Sequence, residues 1–355
     1  MRLRELSILF AACWLNNATG QPPLTVEWVA MLPFGSGEVW IDRDNVTGRY
    51  LWAVDQEFLD ELICSFDSSG NDLSSASGEY FNVGSLDHLR DIEVIDGNRC
   101  YIMHHQNIAG DPQDIFWHLF AGSGEEIFES GSDSIHDYAN DLCADGGDLF
   151  IGGVSDITSA PFWNGRVIRA DTSATISWDM SWNDGTLASS GFLAVAAHGD
   201  TIVAAAFPLV VLFARANGAY IDQLALFSGD PAAHRSGHVI EHDGILHWAV
   251  GMDSTLYYGA WDLESGAIWS GDTTFTTTAA TVDVVVDDEG HTWIGCTADN
   301  AGQVLRIDQG GTLLGTYPTY ASVTDLEWAL GRLCITGQLA PDDPTTYIVT
   351  GIPIP

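Results

Sequence analysis

The chain predicts an all-β fold: a seven-bladed β-propeller with four antiparallel strands per blade, its ring closed by the N-terminal strand in the last blade. Three observations lead there. A glycine-marked turn followed by a short apolar β run recurs as VTGRYLWA (46–53), DGNRCYI (96–102), GGDLFIG (146–152), HGDTIVA (198–204), DGILHWA (243–249), EGHTWIG (289–295) and LGRLCIT (330–336). The marker glycines, Gly48, Gly97, Gly147, Gly199, Gly244, Gly290 and Gly331, are separated by 49, 50, 52, 45, 46 and 41 residues, a period that belongs to propeller blades. A second turn follows roughly twenty residues after most markers, as in DSSGND (67–72), AGSGEE (121–126), ANGAY (216–220), ESGAI (264–268) and QGGTL (309–313). Such turns between β-branched and aromatic runs are hairpin connections.

The elements follow in order. Residues 1–20 read as a secretory leader: Arg2 and Arg4 precede the apolar LSILFAACWL (6–15), and Ala18-Thr19-Gly20 fits small-residue cleavage. Cys13, after Phe10-Ala11-Ala12, offers a lipoprotein alternative that would anchor the chain at an outer membrane. Residues 21–355 form one propeller domain, with blades near 38–84, 85–135, 136–187, 188–234, 235–279, 280–321 and 322–355. Blade six shows the full set of strands in TVDVVVD, HTWIGCT, GQVLRID and TLLGTYPTY. Blade seven has only three such runs before Pro355, and TVEWVAMLPF (25–34) supplies its outer strand, removing two open edges.

Second strands carry a large residue and then a small one, as in Trp52-Ala53, Ile151-Gly152, Val203-Ala204, Trp248-Ala249, Ile294-Gly295 and Ile335-Thr336; blade two has Tyr101-Ile102. Wedge-shaped packing between blades accounts for the pattern, and for most of the 13 Trp.

Net charge is −37, and every one of the twelve basic residues is Arg. Such a surface disfavours nucleic acid and anionic lipid. It suits either solubility in a salty medium or attraction of cations. No run after the leader is long enough to span a bilayer. A monomer is expected. Cys64, Cys100, Cys143, Cys296 and Cys334 fall in strands without a CxxC, so buried thiols are expected, with one disulfide an alternative for an exported chain.

Aligning the blades six or seven residues before each marker glycine places Asp91, Asp141, Leu193, His238, Asp283 and Asp325 at one channel mouth, with Glu38 opening blade one. Asp91, Asp141, His238, Asp283 and Asp325 are therefore candidate ligands for Ca²⁺ or another divalent cation, which takes six to eight oxygens. Alternatively, each Asp caps its own interblade turn through backbone N–H groups. A second group, His238, Glu241 and His242 in HRSGHVIEH (234–242), supplies candidate acid–base or zinc-binding residues. His238 and His242 share a strand face and Glu241 takes the other. GxSxG, HExxH, P-loop and EF-hand motifs are absent.

DIFWHLFAGSGEEIFES…ANDLCADGGDLFIGGVSD (114–156) resembles the SBBP and delta-sixty repeats of bacterial propellers, and VDVVVDDEGHTWIG…GQVLRIDQGGTLLGTY (282–317) has the same cadence. The cadence is also similar to NHL and streptogramin-lyase-type propellers. The resemblance implies an exported propeller without an assigned reaction, and no catalytic role passes to a residue of this chain. The expected function is a non-enzymatic binding module, secreted or periplasmic, that contacts a protein or glycan through blade loops. A channel-mouth lyase or hydrolase using His/Glu and a divalent cation, and a structural envelope component, are the alternatives.

Overall fold

The computed structural model describes residues 24–32, 39–43, 48–54, 61–69, 79–81, 87–96, 99–106, 114–121, 126–131, 137–155, 164–171, 175–183, 191–228, 235–299, 301–319, 322–340 and 343–353. The leader with Cys13, together with Phe34 and Glu38, lies outside them, as do the side chains of Cys64 and Cys100.

Strand β1 (Leu24–Leu32) stands apart from its neighbours in sequence. The strands β2 (Val39–Arg43), β3 (Tyr50–Val54), β4 (Glu61–Phe66) and β5 (Glu79–Phe81) form one antiparallel sheet. A second contains β6 (Asp87–Asp96), β7 (Arg99–Gln106), β8 (Asp114–Ala121) and β9 (Glu126–Gly131). The third holds β10 (Asp137–Asp145), β11 (Asp148–Ser155), β12 (Asn164–Asp171) and β13 (Ile176–Trp182). The fourth holds β14 (Ala194–His198), β15 (Thr201–Ala206), β16 (Leu209–Ala214) and β17 (Tyr220–Ala225). Next come β18 (Arg235–His242), β19 (Ile245–Met252), β20 (Thr255–Asp262) and β21 (Gly266–Thr274). The sixth sheet is β22 (Ala280–Val286), β23 (Thr292–Ala298), β24 (Ala301–Ile307) and β25 (Leu313–Pro318). Strands β26 (Asp325–Ala329), β27 (Arg332–Ala340) and β28 (Asp343–Pro353) then pair in sequence, and β1 adds to β28 from Leu24↔Pro353 to Leu32↔Thr346.

The innermost strands β2, β6, β10, β14, β18, β22 and β26 touch one another in a closed circle around a channel. Marker glycines sit where the chain must turn back in a left-handed conformation, with φ of 87° at Gly147, 85° at Gly244 and 71° at Gly331. In three blades the residue before the marker is left-handed too, at Gly146, Asp243 and Leu330, which gives the doubly positive turn that matches strand twist.

The expectation of seven blades with four strands each requires correction in how complete the blades are. Continuous buried apolar clusters run through the third to the seventh blades, and Ile41, Tyr50, Trp52, Phe66 and Ile92 are buried in the first two. The first blade tapers to an outer strand of three residues, Glu79–Phe81, matched to only three partners on β4. A strand that short offers little surface to pack, so the blades differ in completeness even though their pairing order repeats.

The seams explain the alternation of large and small residues. Trp52, Ile151, Val203, Trp248, Ile294 and Ile335 are all at most 2% exposed, as are Ala53, Ala204, Ala249 and Thr336. Aromatic residues near the ends of the outer strands reach forward. Phe227 stacks on Trp248 at 5.5 Å and on Tyr257 at 4.6 Å, binding blade four to blade five. Trp182 stacks on Phe192 at 5.7 Å across the preceding seam. Gly295 shows why the small position matters: a Cβ there would lie 2.6 Å from Val323 and 3.0 Å from the Leu326 side chain. Gly295→Ala is therefore expected to destabilise the chain by about 1–3 kcal/mol through overpacking. Urea unfolding with an unchanged slope measures this, and an unchanged midpoint would count against the seam geometry.

Candidate functional site in the central channel

The channel holds a cavity of about 530 Å³. It brings together Asp91, Asp141, His238, Asp283 and Asp325, and adds Asp42, Glu93 and Glu327. The added residues follow from strand geometry. Asp91 and Glu93, like Asp325 and Glu327, are two apart on one strand, so both members of each pair face the same side. The signal was present in Asp-Ile-Glu (91–93) and Asp-Leu-Glu (325–327); alignment on a single position per blade passes over it.

Asp42, Asp91 and Asp325 accept through Oδ1 the N–H of the residue that follows them. Six of the carboxylates also reach the next blade and accept a backbone N–H there. Asp91 Oδ2 accepts from Leu142 at 2.8 Å, Asp141 Oδ2 from Val195 at 2.6 Å, and Asp283 Oδ2 from Leu326 at 2.7 Å. Asp325 Oδ2 accepts from Ile41 at 2.6 Å, joining the last blade to the first. Asp42 accepts from Val94, and Glu93 Oε1 from Ala144 at 3.3 Å. Blade five uses a hydroxyl instead, Ser236 Oγ accepting from Val282 at 3.0 Å. Blade four has Leu193 at the aligned position, and its seam to blade five is apolar, flanked by His198 Nδ1 at 3.3 Å from Glu241 Oε1.

His238 lies between two of these groups. Its Nδ1 makes an ion-pair contact with Asp283 that is not aligned as a hydrogen bond, and its Nε2 is 3.6 Å from Asp141 Oδ1. Burial opposes the imidazolium, but Asp283 and Asp141 outweigh it and raise the His238 pKa well above its usual value. For Asp283 the order is reversed: burial pushes its carboxyl up, while His238 and hydrogen bonds from Asp325 and Leu326 bring it below the usual range. Burial, then Asp141 and Glu93, raise Asp91; burial, then Asp283, raise Asp325. Glu93 and Glu327 are also raised, first by burial and next by Asp42. A low-dielectric channel cannot hold so many carboxylates ionised without protons or a cation.

The proposed acid–base group is dispersed. His238 faces the channel, whereas Glu241 Oε1 accepts the Gly244 N–H at 2.6 Å on the blade-four side. His242 Nε2 is 3.7 Å from Asp243 Oδ2, and its ring is 6.5 Å from that of His247. Four residues of extended strand separate His238 from His242 by roughly 13 Å, so the two cannot grip one atom. His247, which donates or accepts at Thr292 Oγ1 over 2.8 Å, has its pKa lowered to about 4 by burial and then His242, and is neutral at pH 7.

One further cluster was not read from the sequence. Asp287, Glu289 and His291 place ligand-type atoms within 4.8 Å of one another in the marker turn of blade six. Asp287 is already committed: Oδ1 accepts the backbone N–H of Glu289 and His291 at 3.0 and 2.7 Å, and Oδ2 accepts Trp293 Nε1 at 2.9 Å. Arg306 lies 3.8 Å away, so the cluster holds a turn and repels a second cation. Cys143, Cys296 and Cys334 are free thiols; burial pushes Cys296 up to about 12 and raises the other two, leaving them unreactive.

No protein-family model matches the chain, and neither does any curated protein sequence. Among solved structures it is similar to the crystal structure of BamB from Moraxella catarrhalis, with TM-score 0.53 and 13% identity, covering 92% of this chain and 99% of that one. The likeness supports the β-propeller fold. No helix among the described residues is long and apolar enough to cross a membrane.

The raised carboxyls retain protons in the folded chain that the unfolded chain has released, so their stabilisation is lost as pH rises from about 4 through their raised values. His238 adds to this: its contribution is complete below its ordinary pKa and disappears as pH climbs through the raised one. Asp283, held low, contributes in the opposite sense and only at the acid end, losing its stabilisation as pH falls through its depressed pKa. The melting midpoint is thus expected to fall as pH rises above the ordinary carboxylate range. Asp325→Asn and Glu93→Gln should each flatten that slope, by up to about 1.4 kcal/mol per pH unit. Thermal melts across pH would refute this if both variants kept the parental slope.

Proposed function

We propose that the chain is an exported, non-enzymatic binding propeller of the kind built by SBBP and delta-sixty repeats, contacting a protein or glycan through its blade-connecting turns. The carrying observation is the commitment of the channel carboxylates to backbone N–H groups of neighbouring blades. With His238, Glu241 and His242 on separate sites, the described channel contains no assembled nucleophile and base. Export rests on the 1–20 leader, and intact mass of the exported chain distinguishes cleavage after Gly20 from lipidation at Cys13. Saturable binding on arrays of extracellular proteins and glycans tests the main reading. Binding to neither class, with no catalytic product formed, would favour a structural envelope component.

A second reading has its own support, because Asp91, Asp141, Asp283, Asp325 and His238 face one cavity. Oxygen donors in that number suit Ca²⁺, whose charge would replace the protons on the raised carboxyls. On this reading millimolar Ca²⁺ raises the melting midpoint, and purified chain contains stoichiometric metal that His238→Ala loses. An unchanged midpoint together with no bound metal removes the cation and, with it, the metal-dependent lyase or hydrolase.

A further inference from the structure

We infer that the turn-bearing face of blades three to six is a docking surface for a basic polypeptide whose cationic side chains alternate with apolar ones, an inference that rests on the binding reading above. Antiparallel order puts two turns of every blade on one face: the one between inner and second strands, and the one between third and outer strands. All the large apolar side chains that are exposed, among the described residues, lie at that face. Ile176 opens β13, Tyr220 and Ile221 open β17, Ile268 is third in β21, and Leu313 and Leu314 open β25. In the next blade Leu330, 62% exposed, occupies a marker turn at φ 51°, a conformation a branched aliphatic residue rarely adopts.

These residues line one rim, and two of the third-to-outer turns, in blades four and six, lie against the outer strand of the preceding blade. A Cβ at Gly218 would be 2.6 Å from Met180 and 2.8 Å from Trp178; one at Gly311 would be 2.8 Å from Trp269. Acidic side chains fill the same turns. Asp145, Asp243 and Glu289 have side chains 50%, 92% and 65% exposed. Asp262 is held below the usual carboxylate range by the N–H groups of Ser265 and Glu264, and Asp308 by those of Thr312 and Gly310, so both charges persist into mild acid. Arg169 and Arg215 are tied to Asp148 and Asp145, Arg306 lies 3.8 Å from Asp287, and Arg332 pairs with Glu27, which leaves Asp243, Asp262, Glu289 and Asp308 to set the sign of the rim. The face therefore combines apolar area with uncompensated negative charge. A second copy would bring the same charge, and an anionic membrane would be repelled. A basic, apolar-containing segment satisfies both properties at once.

The test uses the full chain and three fluorescent peptides, alternating Lys-Leu, Lys-Ser and Glu-Leu, read by anisotropy at low and physiological salt. Tyr220→Ser/Ile221→Ser/Leu313→Ser/Leu314→Ser removes exposed groups only, and its melting midpoint confirms folding. The Lys-Leu peptide is expected to bind the parent and to lose about tenfold in affinity to the quadruple variant. Lys-Ser should bind more weakly, and Glu-Leu should fail to bind. Equal binding of Lys-Leu to parent and variant, or of Lys-Ser and Lys-Leu to the parent, would overturn the inference. So would concentration-dependent self-association in sedimentation that the variant abolishes, which would make a second copy the occupant. Array ligands that bind parent and variant alike would leave the binding role standing and remove this face from it.

Discussion

Seven separate sheets arranged in a circle have no backbone ladder from one to the next, so something else must fix each seam. In this chain the seam bond is a side-chain acceptor on one inner strand taking a backbone N–H of the following strand. Asp42, Asp91, Asp141, Ser236, Asp283 and Asp325 occupy six of the seven seams in that way, among the described residues. A neutral hydrogen bond contributes only about 1 kcal/mol, but leaving the buried N–H without a partner costs about 1–3 kcal/mol. The acceptor therefore matters more for what its loss would expose than for what its presence adds. The fourth seam uses Leu193 and compensates with Phe207, Phe227 and Trp248, so apolar area replaces the latch.

The latch has an electrostatic consequence. One carboxylate per seam, pointed at a common axis, places like charges in a confined low-dielectric volume. The chain resolves this by charge separation: His238 is drawn toward imidazolium beside an ionised Asp283, while Asp91, Glu93, Asp325 and Glu327 are pushed toward the protonated form. The unusual titration is thus a by-product of holding the ring together. Perturbed pKa values cluster at active sites, but structural networks perturb them equally.

The legibility of the fold followed from backbone demands that only glycine meets cheaply. Gly48, Gly147, Gly199, Gly244, Gly290 and Gly331 all adopt positive φ, and their spacing is visible as plain text. The partner for β28 was legible for a similar reason: an apolar run without a blade of its own had to pair somewhere, and Leu24–Leu32 does. Among site residues, Asp91, Asp141, His238, Asp283 and Asp325 aligned because a single register repeats. Asp42 stands six residues before Gly48, at the aligned offset, and was passed over because Glu38 was taken to open blade one. Which backbone each carboxylate would bond could not be read, since that depends on a rotation between blades that no local pattern encodes. The scatter of His238, Glu241 and His242 was hidden for the same reason.

The two faces of the ring are under different constraints, and this separates stability from recognition. The channel must satisfy amides and compensate charge, which leaves its polar groups little freedom to vary. The turn-bearing rim has no such duty. Ile176, Tyr220, Ile221, Leu313 and Leu314 contribute little to folding while exposed, and a chain selected only for solubility at a charge of −37 would replace them with polar residues. Leu330 sharpens the point, because Gly, Asn or Asp would hold its left-handed turn at lower cost. Apolar side chains kept where they neither pack nor dissolve the protein are explained by something that covers them. An acidic surround restricts that cover to a positively charged partner.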